Sequence, residues 1–317
     1  MRERHMDEIL VVGAGPAGLA AALYLARYRR RVRVIDDGRS RARLAPHAHN
    51  IPGFPDGIAG SELLKRMREH AGRYGAIIAS GRVASLSPGE TAGRFDAILE
   101  GGERLRARGI ILATGVEMHL VRMDDGSHDA AVRAGALRYC PICDGYEQRG
   151  ADIAVLGSDL HGAAEAMFLR QYSDRVTLIP RHDVALTDLQ RAELRVSDVA
   201  ILERKMSTIR QVGTGIEIGL EGEAAPRRFD ILYPALGSVP RTELAVQLGI
   251  VAAGDGGLAA NAFCEPLLPG LFAAGDVLSG LDQISVASGQ GAMAATRLHN
   301  WLRERDRHLM SEQAGKA

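Results

Sequence analysis

The chain has 317 residues, 46% of them hydrophobic, with 39 basic and 39 acidic side chains in balance. That length suits two domains rather than one core, and zero net charge argues against a nucleic-acid binder held by phosphate neutralisation. The apolar runs are too short to span a bilayer, three cysteines are too few for a secreted disulfide scaffold, and the start of the chain shows no leader pattern, so a cytoplasmic protein is expected.

The first predicted element is a strand over 9–12 (ILVV). The turn Gly13-Ala14-Gly15-Pro16-Ala17-Gly18 follows, and then a helix reading LAAALYLARYRR. Gly13 permits the tight turn, Gly15 lets a pyrophosphate approach the backbone, and Gly18 lets the helix pack close to the strand. The helix N-terminus supplies N–H groups and a positive dipole end, and the whole turn, Pro16 and Ala17 included, is taken as dinucleotide-binding. The next strand, 32–35 (VRVI), ends in Asp36, about 20 residues on, where a ribose-binding acid belongs; Asp37 is the adjacent competitor for that role. A proline- and glycine-containing loop carries His49-Asn50-Ile51-Pro52-Gly53-Phe54-Pro55. A strand at Gly81-Arg82-Val83 comes next, and another, IILATG, ends at Thr114-Gly115.

Residues 138–150 read RYCPICDGYEQRG, placing Cys140 and Cys143 in a CxxC. Zinc needs about four ligands; Cys264 stands alone, and no histidine pair has a fitting local spacing. A structural disulfide is out of place in a reducing compartment. A redox-active pair is the strongest of the three readings, since a neighbouring cation, helix N-terminus or flavin can make one thiolate the reactive form. Asp144 follows directly. A carboxylic acid beside a leaving thiolate can hand over the proton that exchange requires; its other reading is a turn residue next to Gly145. Cys264 is expected to pack as a small buried hydrophobe.

A second strand–turn–helix follows at 153–166. Gly157 makes its turn and Gly162 is the third small residue, but the middle position is Asp159. A carboxylate about 4 Å from a phosphate costs roughly 4 kcal/mol at an effective dielectric near 20, about three decades of affinity, unless the side chain swings out to solvent. After the strand 176–179 (VTLI) the chain reads Pro180-Arg181-His182-Asp183-Val184-Ala185-Leu186. Leu236-Gly237 and Pro240-Arg241-Thr242 mark the return to the first domain, and LFAAGD ends a strand at Gly275-Asp276. The last helix opens at Gln283-Ile284-Ser285 and carries Trp301, which suits a dimer contact if exposed. The tail 310–317 (MSEQAGKA) reads as disordered.

The joint order of GAGPAG, ATG, CxxCD, a second glycine turn and a late Gly-Asp resembles the two-dinucleotide flavoprotein disulfide reductases. The CxxC in the second domain makes the chain similar to the low-molecular-weight thioredoxin reductases. The resemblance implies two Rossmann-like three-layer α/β domains: an FAD domain, 1–118 and 243–317, with a smaller NAD(P)-like domain, 119–242, inserted in it. It implies that FAD is held by the first glycine turn, Asp36, Asn50, the backbone of Val83, Thr114-Gly115, Gly275-Asp276 and the N-terminus at Gln283-Ile284. It further implies that Cys143 faces the flavin, that Cys140 attacks the external disulfide, and that Asp144 is the acid/base residue.

The partner would be a thioredoxin-like protein or a small disulfide or dithiol, and the assembly a homodimer. In this group the second domain holds NADPH, with an arginine-rich HRRxxxR clamping the 2′-phosphate. Here only Arg181 of that clamp survives, and Leu186 replaces the distal arginine. With Asp159 this argues against tight NADPH binding, leaves NADPH or NADH use doubtful, and points to another electron donor such as a reduced ferredoxin. Two alternatives stand beside the reductase. One is a dithiol oxidase using dioxygen, whose branch shares the tail Gly145-Tyr146-Glu147 but carries His where this chain has Asp144. The other is a flavin redox sensor that does not turn over.

Overall fold

Every residue of the run 9–12 is buried, as a parallel strand covered on both faces requires. It opens a chain whose computed structural model describes residues 7–91, 93–123, 126–259, 264 and 267–308; the tail expected to be disordered lies outside them. The chain divides into two units. One comprises Met1–Ala42, Ser61–Glu117 and Val239–Ala317, the other Arg43–Gly60 and Met118–Ser238. The chain passes between the units at Glu117/Met118 and at Ser238/Val239. Segment 43–60 is the difference: it belongs to the second unit, because its contacts are to the cysteine turn described below.

The first unit begins β1 (Asp7–Val12), α1 (Pro16–Arg27), β2 (Val32–Asp36), α2 (Gly60–Arg73) and β3 (Ile77–Ser80). It continues with β4 (Val83–Pro88), β5 (Phe95–Leu99) and β6 (Arg104–Leu112). The chain leaves through β7 (Val116–Met118). In the second unit lie α3 (His128–Ala134), α4 (Pro141–Asp144), β8 (Asp152–Leu156), α5 (Leu160–Leu169), β9 (Arg175–Ile179), α6 (Asp188–Val196) and β10 (Ala200–Ile201). There follow β11 (Met206–Val212), β12 (Gly215–Leu220), β13 (Arg227–Phe229) and β14 (Ile231–Pro234). The chain returns through β15 (Ser238–Pro240) to α7 (Glu243–Gln247), β16 (Leu271–Ala273) and α8 (Ile284–Arg305).

In the first unit the parallel order is β3-β2-β1-β6, and β6 is long enough to take two partners besides β1. Its N-terminal half takes β5 antiparallel, and its residues 110–112 take β16 parallel. Helices α1 and α8 cover the face made by Ile9, Val11, Val34 and Ile111. Leu10, Val12, Ile35 and Ile110 point the other way, into a second apolar layer. Each fully buried aliphatic side chain here contributes roughly 1.5–3 kcal/mol. The second unit repeats the plan more briefly, with a parallel sheet β10-β9-β8-β14 and an antiparallel sheet β11-β12-β13. Helix α6 starts at a capping box, Thr187 with Gln190, which answers two of its orphan donors reciprocally. No helix among the described residues is long and apolar enough to cross a membrane.

Cys264 is buried in the first unit's core, as expected of a small hydrophobe. Trp301 is partly buried on α8, its ring against Gly93 and Gly270 and the Arg305 guanidinium 3.5 Å from its centroid. It is used within its own unit rather than standing out as an apolar anchor.

Candidate active site

The turn between β1 and α1 tolerates no side chains at its ends. Gly13 has φ +100°, and a Cβ there would lie 2.3 Å from the Ala113 carbonyl oxygen; one on Gly18 would lie 1.9 Å from the Gly13 carbonyl oxygen. Pro16, Ala17 and Gly18 form the first turn of α1, where a proline has no N–H to leave unsatisfied. The N-cap residue is Gly15, and no side chain caps the helix. The donors of the helix start therefore face an open backbone, the arrangement that receives an anion.

Asp36 and Asp37, adjacent in the chain, have different surroundings. Asp36 is buried, accepts the Ala14 N–H at 3.0 Å and pairs with Arg68, so it braces the glycine turn. Asp37 lies on the wall of a cavity of about 260 Å³ with Gly13, Gly81, Val83, Thr114 and Arg241. Burial pushes the Asp37 carboxyl up, but hydrogen bonds from Arg39 and the charges of Arg39 and Arg241 outweigh it and hold the group below its ordinary value. The cavity thus brings together three residues expected to bind FAD, namely Gly13, Val83 and Thr114. It adds Arg39, which no sequence motif marked, and Arg241, which the sequence marked only as part of the return to the first domain. Thr114 Oγ1 donates to the Arg241 carbonyl at 2.7 Å, tying the end of the β6 strand to the returning segment.

The late Gly275-Asp276 follows β16. Arg41 Nη1 stands 2.9 Å from Asp282 and 3.4 Å from Asp276. Burial, then the charge of Asp282, push Asp276 up to about 6 against the pull of Arg41. A half-buried carboxylate of this kind is suited to accept from a sugar hydroxyl. Gln283 is the N-cap of α8, again without a side-chain cap, and Ile284 is its first residue. An uncapped helix start, a cavity with acid and arginine on its wall, and a half-buried acid beside an arginine fit FAD. Gly115 lies just past β6 with φ +64°.

In the second unit Cys140, the N-cap of the four-residue α4, is joined as a disulfide to Cys143 within it. Asp144 has a setting different from that of a free acid. It is 3% exposed, with Oδ2 2.6 Å from Arg138 Nη1 and Oδ1 accepting from the Tyr233 hydroxyl at 2.8 Å. Burial raises its carboxyl and Arg138 and Tyr233 pull against that rise; the Tyr233 hydroxyl is itself pushed far up by burial beside Asp144. Asn50 is on this turn as well, with Nδ2 donating to the Ile142 carbonyl at 3.3 Å. The neighbouring His49 N–H donates to the Cys143 carbonyl at 3.2 Å. Ile142 and Tyr146 are exposed beside the disulfide.

The second glycine turn is filled by its own side chains. Asp159 is the N-cap of α5, and its Oδ1 accepts from the N–H of His161 at 3.1 Å and of Gly162 at 3.2 Å. Asp159 is exposed, yet its carboxylate is turned back onto the helix start and engages donors of the kind that receive a phosphate at such a turn. Ser158, 3% exposed, accepts at Oγ from Arg181 N–H at 2.9 Å and His182 N–H at 3.2 Å. The Ala185 N–H donates to the Ser158 carbonyl at 2.7 Å, and Leu186 packs against the core beneath β8. The segment expected to clamp a 2′-phosphate is folded onto the turn instead.

Residues 7–291 match the family model described as pyridine nucleotide-disulphide oxidoreductase. The chain is 30% identical over 328 residues to the thioredoxin reductase of Listeria monocytogenes serovar 1/2a, covering 98% of this chain and 99% of that one. Among solved structures it is similar to HlmI, with TM-score 0.86, 30% identity and coverage of 97% and 96%. It is also similar to the atypical thioredoxin reductase TRi from Desulfovibrio vulgaris Hildenborough, with TM-score 0.52, 30% identity and coverage of 94% and 99%.

Proposed function

Since the chain belongs to the pyridine nucleotide-disulphide oxidoreductase family, and is a flavin-dependent disulfide oxidoreductase of the thioredoxin reductase kind, we propose that its Cys140–Cys143 pair exchanges with a thioredoxin-like protein or a small disulfide, and that tightly bound NADPH is not its electron source. The single observation that carries the second half is the Asp159 carboxylate on the α5 N-terminus. A phosphate there meets a fixed negative charge and finds the helix donors already engaged. The fold of the turn over Ser158 supports the same reading. A non-pyridine donor such as reduced ferredoxin is the proposed source.

Bound FAD supplies two-electron chemistry toward the disulfide. Gly13 to Gly18, Asp37, Val83, Thr114, Asp276 and the α8 start at Gln283 and Ile284 are the residues proposed to hold it, with Asp36 bracing the turn. Asn50 is proposed to fix the cysteine turn. Asp144 is proposed as the acid/base residue of the pair, its carboxyl raised by burial and held with one oxygen on Arg138 and the other on Tyr233. Cys140 is the proposed attacking thiol and Cys143 the thiol that faces the flavin. On the resemblance alone the protein is further proposed to be a cytoplasmic homodimer.

The test is anaerobic mixing of the yellow protein with micromolar NADPH and, separately, with reduced ferredoxin. Slow or absent bleaching by NADPH and fast bleaching by ferredoxin is the expected result; fast bleaching by NADPH overturns it. A second reading, dithiol oxidation with dioxygen as acceptor, is favoured by the exposed Tyr146 beside Glu147 in the Gly-Tyr-Glu tail. It requires peroxide from reduced dithiol in air. Silence in all three assays, with a stable oxidised CxxC, favours the sensor.

A further inference from the structure

The carboxylate of Asp144 is held from both sides by side chains that no cysteine motif contains. We propose that Arg138 is the positioning residue of this acid/base group: with the Tyr233 hydroxyl it orients the Asp144 carboxylate and sets the pH at which that carboxylate exchanges its proton with a thiol. The assignment rests on the reading of Asp144 given above, and it adds a residue that acts through Asp144.

Three observations carry it. First, the grip is direct and two-sided. Arg138 Nη1 lies 2.6 Å from Oδ2, and the Tyr233 hydroxyl donates to Oδ1 at 2.8 Å. Asp144 is 3% exposed and the Arg138 side chain 15%, so solvent screens the pair little. Second, Arg138 is fixed independently of the acid. Its N–H donates to the Leu232 carbonyl at 3.0 Å, which ties it to β14, the strand that carries Tyr233. Its Nε donates to the Gly135 carbonyl at 2.8 Å. Gly135 has φ +75°, and a Cβ there would lie 2.7 Å from Arg138 Nη2, so the missing side chain leaves room for the guanidinium. Third, two opposed influences meet on the carboxyl. Burial raises it, and the charge of Arg138 is the largest influence against that rise. A buried carboxyl without a cation holds its proton over a wide pH range, whereas one beside a guanidinium can release it and take it back.

Other ionisable groups face the site from the neighbouring segments. Glu147, on the same stretch, opposes Arg138, and His49 Nδ1 stands 3.7 Å from Glu147 Oε1. Glu165 on α5 acts on Tyr233, whose hydroxyl burial pushes far up, so the phenol stays a donor at neutral pH.

With a dithiol as substrate, the Asp144 carboxylate takes the proton of one thiol as that sulfur attacks Cys140. The Cys140–Cys143 bond breaks, Cys143 leaves as thiolate, and Asp144 hands it the proton. The second thiol loses its proton to solvent and displaces Cys140 from the mixed disulfide. Cys140 leaves as thiolate and is protonated by solvent. The pair gains two electrons and two protons, and the dithiol loses both. A carboxylate with a thiol holds the same number of protons as a carboxylic acid with a thiolate. The acid side of the rate profile therefore reports the Asp144 carboxyl whichever partner carries the proton.

The experiment uses the flavin-loaded full chain with dithiothreitol as probe, without oxygen, from about pH 4 to 9. Reduction of the Cys140–Cys143 disulfide is followed by quenching with a thiol-alkylating reagent. The wild type should show a rise in rate on the acid side that Asp144→Asn lacks. Arg138→Gln should move the midpoint of that rise up by about one to three pH units. Arg138→Lys keeps the charge and should hold the midpoint near its wild-type position. Tyr233→Phe should move it in the same direction by less. A midpoint unmoved in Arg138→Gln overturns the proposal. So does an equal displacement in Arg138→Gln and Arg138→Lys, or a slower rate with the midpoint in place, which is what a merely structural contact produces. Should Arg138→Gln not fold, Tyr233→Phe decides, and no shift there overturns the proposal. An acid-side rise that survives in Asp144→Asn sinks the reading of Asp144 itself, an outcome visible without any Arg138 variant.

Discussion

The Asp159 carboxylate accepts the backbone N–H of Gly162, the third small residue of its own turn, at 3.2 Å. In the first unit the matching helix start has Gly15 and no side-chain cap. One chain therefore uses the same strand–turn–helix twice, once with its donors left to a ligand and once with a carboxylate of its own. Asp159→Gly removes the charge and, because glycine is itself a fair N-cap, costs only a few tenths of a kcal/mol in helix stability. NADPH affinity should rise by roughly ten- to a hundredfold, short of the full Coulomb figure because the Ser158 contacts remain. Anaerobic bleaching against NADPH concentration measures it, and an unchanged affinity removes Asp159 from the explanation.

Removing either partner of Asp144 leaves a buried charge or acceptor unmet. Arg138→Met should destabilise the second unit by about 3–5 kcal/mol and Tyr233→Phe by about 1–3 kcal/mol. Urea unfolding followed by circular dichroism orders the two. Equal, negligible losses would mean that the carboxylate is not held in this way.

Flavin retention should fail without Gly13. Alanine there must adopt φ +100° and place its Cβ 2.3 Å from the Ala113 carbonyl oxygen, so the turn has to shift. Gly13→Ala is expected to purify colourless or insoluble, and a yellow, stoichiometric holoprotein contradicts the site.

Asp276 makes the flavin-free protein sensitive to pH. Its folded value of about 6 lies above its ordinary value, so between about pH 4 and 6 the folded chain holds a proton that the unfolded chain has released. Its contribution to stability thus falls as pH rises through that window and is lowest above 6. Asp276→Asn should flatten this segment of the melting-temperature profile and raise stability at pH 7, while weakening flavin retention. Parallel profiles for the two proteins refute the assignment.

Cys143→Ser should abolish disulfide exchange and reduce turnover with any thioredoxin-like or small disulfide acceptor by at least a thousandfold, while the protein stays yellow. Full turnover in this variant is incompatible with the proposed role of the pair.

The amino-acid sequence by itself determined the two strand–glycine–helix turns, the CxxC between them, the parallel α/β layers and the anomaly at Asp159. These depend on the backbone freedom, Cβ sterics and hydrogen-bond donors of residues within a few positions of one another. Only the tertiary structure decided which groups those features meet. It put Asp37 rather than Asp36 on the cavity wall. It brought Tyr233, 89 positions away, onto Asp144, and Arg41, 235 positions away, onto Asp276. It moved segment 43–60 to the unit that carries the disulfide. Burial and ion pairing are properties of space, set by side chains that the sequence keeps far apart, and so a local pattern can name an acid without saying whether its proton is free to move.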